Sequence, residues 1–328
     1  MNLNILVSGG QGFIGSAICK ELLENGYNVI SIDNFSKYGF IKRNHDDHPN
    51  FTLIQDDIIN FKASWEYSQF RDVDYIIHCA AKIGGIKYFH SYASDLLETN
   101  KTIDTSVIKL AKYLHQKHNL QRLIVFSSSM VYERATEFPT KESDLPNIPP
   151  PISSYGFSKL CTEYSVRAAW EQYKLPYTII RPFNATGIGE EDFLKGESHV
   201  LPEFVKKLLI DKQDPLHILG NGNQIRHFTN VADIALATKI IIEDINALNQ
   251  DFNISIDKST SILELAGKVW DQINSGKTCN IVTEIPYPHD VRFRMPDVTK
   301  AKEMLNFEAK IPLKQSISEV IEYIRGKI

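Results

Sequence analysis

Short apolar runs of strand length recur along this chain between longer stretches whose apolar residues return every three or four positions. The runs are Asn4-Ile5-Leu6-Val7, Tyr27 to Ile32, Phe51 to Gln55, Asp74 to His78, Arg122 to Phe126 and Tyr177 to Ile180. Between them Ser16 to Asn25, Leu96 to Lys117 and Tyr155 to Tyr173 carry helical periodicity, and Gly26 is placed to cap the first. Strands alternating with helices in this way predict an α/β fold built on a doubly wound parallel sheet of Rossmann type. After Ile180 the alternation becomes irregular: a helix from Leu201 to Ile210, a short strand His217-Ile218-Leu219, then Gly220 through Arg226. This shift predicts a nucleotide-binding domain over 1–182 and a smaller C-terminal α/β substrate-binding domain over 183–328. Phe228 to Ile242 and Phe252 to Ile256 are expected to return to the first domain, so about 228–256 rejoins it. Pro146 to Pro151 marks a loop and no domain linker, because the helical pattern resumes at Tyr155.

The first run enters Ser8-Gly9-Gly10-Gln11-Gly12-Phe13-Ile14-Gly15 and a helix follows, the order a dinucleotide fingerprint requires. Gly9 allows the tight turn, Gly12 lets a pyrophosphate approach the helix N-terminus, and Gly15 lets helix and strand pack closely. The second strand ends in Asp33, at the distance where a carboxylate meets ribose hydroxyls. A carboxylate there repels the extra phosphate of NADP, so NAD is the expected cofactor. Lys37, Lys42 and Arg43 follow and read as a solvated loop. Asp57 and Ile58, after the third strand, are placed to meet an adenine edge, and Cys79-Ala80-Ala81 supplies small residues where backbone passes a ligand.

Composition excludes more than it selects. The 328 residues hold 36 Lys and Arg against 40 Asp and Glu, a formal charge of -4, which gives no general attraction to nucleic acid or an anionic membrane. No apolar run approaches the about 18 residues of a membrane span, and the start of the chain does not read as a signal peptide, so the expected location is the cytoplasm. Cys19, Cys79, Cys161 and Cys279 form no metal-ligand or disulfide pattern and read as buried thiols; no metal is expected.

The candidate chemistry lies in Ser154-Tyr155-Gly156-Phe157-Ser158-Lys159. Tyr155 and Lys159, four apart at the start of a helix, share a face, so the ammonium is expected to pull the phenol below its ordinary pKa of about 10 and make it a proton acceptor. The fifth strand runs into Ser127-Ser128-Ser129-Met130-Val131-Tyr132, hydroxyls at the C-terminal end of a parallel strand, where such sheets bind ligands.

With glycine fingerprint, serines and Tyr/Lys pair in this order, the chain resembles the extended short-chain dehydrogenase/reductase family, and within it the nucleotide-sugar epimerases, dehydratases and decarboxylases. The likeness spans essentially the whole chain. It includes Arg181-Pro182-Phe183-Asn184, Gly220 through Arg226 with Phe228 and Asp233, and Arg294-Met295-Pro296-Asp297-Val298-Thr299-Lys300-Ala301-Lys302. The resemblance implies that Ser128 is the catalytic hydroxyl, Tyr155 the base and Lys159 the residue that holds the nicotinamide ribose of NAD. It implies cofactor contacts at Gly9, Gly12, Phe13, Ile14, Gly15, Asp33, Asn34, Asp57, Ile58, Ala80, Ala81, Lys82, Asn100, Ser127 and Pro182, besides Tyr155 and Lys159. It implies a nucleotide-diphosphate sugar as the ligand, met by Lys82, Ser129, Asn184, His199, Val200, Arg226 and Arg292, with Asn184, Arg226 and Arg292 on the diphosphate. It also implies a homodimer paired through the helices Leu96 to Lys117 and Tyr155 to Tyr173.

Departures from the family pattern narrow the reaction. Family dehydratases and decarboxylases carry a Glu, and the GDP-fucose synthase and GDP-mannose 3,5-epimerase branches a Cys, where this chain has Met130. Met130 moves no proton, whereas oxidation and re-reduction at C4, as in the UDP-galactose 4-epimerase branch, asks only for Tyr155, Ser128 and NAD. The expected activity is a redox-neutral C4 epimerisation. Ile83-Gly84-Gly85-Ile86 and His199 resemble the GDP-fucose synthase branch and keep a second reading, a 3,5-epimerase or 4-reductase acting on a GDP-4-keto-sugar. An NDP-sugar dehydratase or decarboxylase and a non-catalytic NAD-binding scaffold are the remaining alternatives.

Overall fold

The computed structural model describes residues 3–60, 69–84, 91–195, 198–286 and 290–328; Gly85 and Ile86 of the motif above lie outside them. The strands are β1 (Asn4–Ser8), β2 (Asn28–Asp33), β3 (Phe51–Gln55), β4 (Tyr75–His78), β5 (Arg122–Phe126), β6 (Tyr177–Pro182), β7 (Leu216–Leu219), β8 (Ile225–Arg226), β9 (Gln250–Ile254), β10 (Thr260–Ser261) and β11 (Ile281–Glu284). The α-helices among the described residues are α1 (Phe13–Glu24), α2 (Ala93–Lys117), α3 (Ser154–Tyr173), α4 (Val200–Leu209), α5 (Val231–Glu243), α6 (Ile262–Ile273), α7 (Thr299–Leu305) and α8 (Leu313–Arg325).

Seven strands form one parallel sheet in the order β3-β2-β1-β4-β5-β6-β9. Strand pleating explains its two cores, since successive side chains leave opposite faces. Ile5 and Val7 of β1 join Ile18 and Leu22 of α1 and Ile234 and Ile241 of α5 on one side. Leu6 joins Val107 and Leu110 of α2 and Val166 of α3 on the other. Each such fully buried aliphatic side chain contributes about 1.5–3 kcal/mol. A third cluster, with Phe204 of α4, Leu216 of β7, Trp270 of α6 and Val320 of α8, forms a separate core in the C-terminal half.

Two boundaries differ from expectation. Helix α1 begins at Phe13 and not at Ser16, because the Ser16 N–H already donates to the Gly12 carbonyl at 2.9 Å and the turn is finished by Gly12. Strand β9 begins at Gln250, where the Asn249 N–H bonds the Tyr177 carbonyl at 2.7 Å and sets the register against β6. The order of strands reverses between β1 and β4, and the Cα of Gly9 and the backbone of Ala80 meet at that crevice, the place where open parallel sheets bind their ligands. No described helix is long and apolar enough to cross a membrane.

Candidate active site

The crevice is shaped by glycines that nothing larger can replace. Gly9 has φ +74°, and a Cβ on it would lie 2.7 Å from the Ala80 nitrogen. A Cβ on Gly15 would lie 2.1 Å from the Gly9 carbonyl oxygen. Helix α1 opens on Gly12 with no side-chain cap and no acidic residue in its first turn, so its first N–H groups stay available to a phosphate. Phe13 is buried and Ile14 half-buried beside them.

Asp33 ends β2 and is oriented by its own surroundings: Oδ2 accepts from the Gln11 N–H at 3.0 Å and Oδ1 from the Phe35 N–H at 2.8 Å. Burial raises its pKa, while those two N–H groups and Arg43 pull the other way. Each oxygen keeps a lone pair for a ribose diol. The three neighbouring cations are all engaged: Lys37 with Asp192, Lys42 with Asp47, and Arg43 with Glu191. Arg43 is no solvated loop residue, as its Nη2 donates to the Gln11 carbonyl at 2.8 Å and fastens the segment after β2 to the glycine turn. Cradle, helix terminus and carboxylate fit NAD, and the committed cations leave no ready partner for a further phosphate. Asn34 Nδ2 donates to Asp57 Oδ2 at 2.8 Å. The Ile58 side chain is buried in the core with Leu6 and Ile32, so only its backbone remains to face an adenine.

Ala80, Ala81 and Lys82, all half-buried, leave β4 as a loop that Asn100 of α2 fastens. Its Oδ1 accepts from the Lys82 N–H at 2.6 Å, and its Nδ2 donates to the Lys82 carbonyl and to Ser158 Oγ. Asn100 thus ties this loop to the helix carrying Tyr155.

Helix α3 is started by Ser153, whose Oγ accepts from the Gly156 N–H at 3.1 Å. Tyr155 and Lys159 are both buried on its inner face. The Lys159 ammonium donates to the Phe126 carbonyl at 2.8 Å, at the end of β5. Ser128, just beyond, accepts from the Met130 N–H at 3.1 Å, so its own O–H remains to donate outward. Ser127 turns away and donates to Glu163 at 2.6 Å, and Ser129 is buried. Tyr155 packs with Leu96, Met130, Ile83 and Val291.

A buried ionic network holds these pieces in register. Arg181 of β6, fully buried, places Nη2 2.7 Å from both Glu163 of α3 and Asp251 of β9, and its Nη1 donates to the Tyr132 hydroxyl at 2.6 Å. Tyr132 donates in turn to Asn253 Oδ1 at 2.9 Å. Neither the network nor the chain Ser8, His78, Asp104, Thr162 beneath β4 was foreseen, because each joins residues scattered along the sequence.

On the substrate side, Pro182 ends β6 and Asn184 follows in the left-handed region at φ +36°, with its Oδ1 buried and unpartnered. Arg226 of β8 is buried and held below its ordinary pKa, to about 9, by burial first and then by the neighbouring Arg294, with Asp290 opposing. A guanidinium stays charged in a protein, so the shift reflects first the cost of burying this cation and then its crowding by Arg294, costs that a bound anion would offset. Arg292 stands at the rim, exposed, with its guanidinium over the Phe293 ring at 4.9 Å. Arg294, two residues on, is half-buried, and in an extended segment residues at that spacing share a side. His199 caps α4, and Val200, its first residue, packs against the C-terminal core. His199 Nδ1 lies 2.7 Å from Glu190 Oε1, and that carboxylate raises the imidazole pKa.

The site is that of an enzyme working on a nucleotide-linked sugar with a dinucleotide. The family model for the NAD dependent epimerase/dehydratase family matches residues 5–255, and the chain belongs to that family, whose cofactor is NAD. A putative UDP-glucose 4-epimerase of Methanocaldococcus jannaschii is 31% identical over 325 residues, 98% of each chain. The UDP-N-acetyl-alpha-D-glucosaminuronate decarboxylase of Bacillus cytotoxicus is 32% identical, covering 99% of this chain and 98% of its own. Among solved structures, the UDP-glucose 4-epimerase of Thermotoga maritima with UDP-glucose matches with TM-score 0.84 at 28% identity, over 99% of each chain. The UDP-glucuronic acid 4-epimerase of Bacillus cereus, in complex with UDP-glucuronic acid and NAD, matches with TM-score 0.85 at 25% identity, over 99% of this chain and 100% of its own.

Proposed function

We propose that this enzyme epimerises a nucleoside-diphosphate sugar at C4, with no net oxidation, and that the nucleotide is UDP, as in the relatives named above. The observation that carries this reading is the Tyr155 pocket, in which the thioether of Met130 occupies the place beside the phenol. A methionine neither donates nor accepts a proton there, which leaves one working acid/base and favours chemistry confined to a single carbon.

When bound, NAD supplies the acceptor for the hydrogen on C4 and its return to the opposite face. Tyr155 takes the proton of the C4 hydroxyl and later gives it back. Ser128, its lone pair held by the Met130 N–H, donates to the oxygen that becomes a carbonyl. Lys159, one turn from Tyr155 and anchored on Phe126, provides the positive charge at the ribose end. Arg226, Arg292 and Asn184 hold the diphosphate, so the sugar is free to turn between the two half-reactions.

In this reading residues 1–182 with about 228–256 hold the cofactor and the rest of 183–328 the nucleotide sugar, and two copies pair through α2 and α3, whose surface carries the exposed Tyr164. The test is conversion of UDP-sugars in D2O, with NAD present, followed by NMR. A C4 epimer free of carbon-bound deuterium is expected. Deuterium at C3 or C5, a stable keto product, or no conversion of any UDP-sugar would refute the reading.

A further inference from the structure

Past β6 the chain turns back onto the nucleotide-binding half with two acids that the chemistry above does not use. Glu191 stands 3.4 Å from Arg43, and Asp192 stands 2.5 Å from Lys37. The Glu191 side chain is 9% exposed and that of Asp192 1%, so both carboxylates are desolvated. Glu191 is gripped from its own half as well, by the Tyr323 hydroxyl and by Lys327 at 3.4 Å. Asp192 has Lys37 as its one ion-pair partner among the described residues.

The two cations border the place where the adenosine ribose belongs. Arg43 Nη2 donates to the Gln11 carbonyl at 2.8 Å, and the N–H of that same glutamine holds Asp33 Oδ2 at 3.0 Å. Arg43 also lies against the first turn of α1, since a Cβ on Gly189 would stand 3.7 Å from its Nη1 and 3.5 Å from the Phe13 ring. Lys37 lies four residues beyond Asp33, just past the Phe35 N–H that holds Asp33 Oδ1. Cations so placed after the second strand are what a phosphate on the ribose 2′ oxygen would call on.

Neither cation is free to answer. Both terminal nitrogens of Arg43 are occupied, by Glu191 and by Gln11, and its Nε is shut off from water. To take a phosphate, Arg43 and Lys37 would have to leave Glu191 and Asp192, stranding carboxylates in a dry contact between the two halves. Removing one partner from a buried ion pair is the costly event, because the other charge stays behind. NADP therefore meets two obstacles, repulsion by Asp33 and the unpairing of Glu191 and Asp192. NAD asks nothing of either cation and meets neither.

We propose that Glu191 and Asp192 are specificity-determining residues for the dinucleotide, excluding NADP by holding Arg43 and Lys37 away from the adenosine 2′ position. Selection of the cofactor is thereby shared with the half of the chain that does not carry the glycine turn. The inference is independent of which sugar carbon reacts.

The test equilibrates the NAD-loaded protein with increasing NADP and quantifies both dinucleotides that stay bound after rapid desalting, by mass spectrometry. The ratio of NADP to NAD affinity is expected to rise about 10-fold in Glu191→Gln and in Asp192→Asn, and about 100-fold in the double variant, the scale of one and two charge-assisted contacts. Both single variants should still retain NAD, which also shows that they are folded. Tyr323→Phe, which removes a bond to Glu191 but no charge, should leave the ratio at the wild-type value, and adding Arg43→Met to Glu191→Gln should return it there. An unchanged ratio in either carboxylate variant would overturn the assignment of that residue. An equal rise in Tyr323→Phe, or a rise that survives Arg43→Met, would overturn the proposal by tracing the effect to a loosened contact. Loss of NAD binding in the carboxylate variants would overturn it too, by making these acids supports of the loop and not selectors.

Discussion

Replacing Gly15 by alanine separates what a helix gains from a methyl group from what this turn loses by it. Gly15 lies in the first turn of α1, and helix propensity alone favours alanine by about 0.5–1 kcal/mol. The added Cβ, however, would stand 2.1 Å from the Gly9 carbonyl oxygen and 2.9 Å from the Gly10 Cα, almost an ångström closer to the oxygen than real Cβ contacts come. Both obstacles are backbone, so the turn or the helix must move, at about 1–3 kcal/mol. The movement falls on the N–H groups that face the pyrophosphate. Gly267, inside α6, is the matched control: a Cβ there meets nothing within 4 Å. Gly267→Ala should raise Tm by about 1–2 °C and leave NAD binding as it was. Gly15→Ala should lower Tm and lose most of the NAD-induced stabilisation, which for an intact site at 100 times Kd is about 2.7 kcal/mol. Thermal melts of the two variants with and without NAD make the comparison. If Gly15→Ala kept the full NAD-induced shift and rose in Tm as Gly267→Ala does, the close-packing account of this turn would be wrong.

The other expectations are briefer. Tyr155→Phe should lower kcat by about 10²- to 10⁴-fold with NAD affinity unchanged, checked by steady-state kinetics beside cofactor titration. Glu163→Ala strands the fully buried Arg181 with only Asp251 and should cost about 3–5 kcal/mol in denaturant unfolding, while Glu163→Leu combined with Arg181→Met should recover much of it. The His199 pKa is raised in the folded state by Glu190, so this pair stabilises the protein below the unfolded value of about 6.5 and loses that contribution as pH rises through the folded one. Wild type and His199→Asn should therefore differ most in stability near pH 5 and converge at alkaline pH; a difference that grew with pH would contradict the pairing.

The sheet and its glycine turn were legible because their causes are local. Strand length, helical period and the offset from Gly9 to Asp33 are short-range properties of the chain; Asp33 ends β2, and Tyr155 and Lys159 lie buried one turn apart in α3. The substrate side was read in part. Arg226 is buried, and Arg294, half-buried, comes near it only because its segment lies alongside β8. Arg43 looked like one of three loop cations, yet its partners Gln11 and Glu191 are 32 and 148 residues away. Periodicity carries no information about such encounters.

The irregularity after β6, which marks the entry to the C-terminal half, also bears on how the loop that carries Ser128 is positioned. The chain leaves the sheet at Pro182 and returns only at Gln250, so β9 brings Asp251 back across the whole intervening segment. Asp251 then meets Arg181, Arg181 meets Glu163, and Glu163 holds Ser127, the neighbour of Ser128. The loop that carries Ser128 is thus tied, through Glu163 and Arg181, to a strand contributed from beyond residue 249. Lys300 and Arg167 also reach Asp251, which surrounds one carboxylate with three cations and fixes the edge of the sheet at that point. The loop that carries Ser127 and Ser128 and the edge strand of the sheet are therefore held by one ionic network.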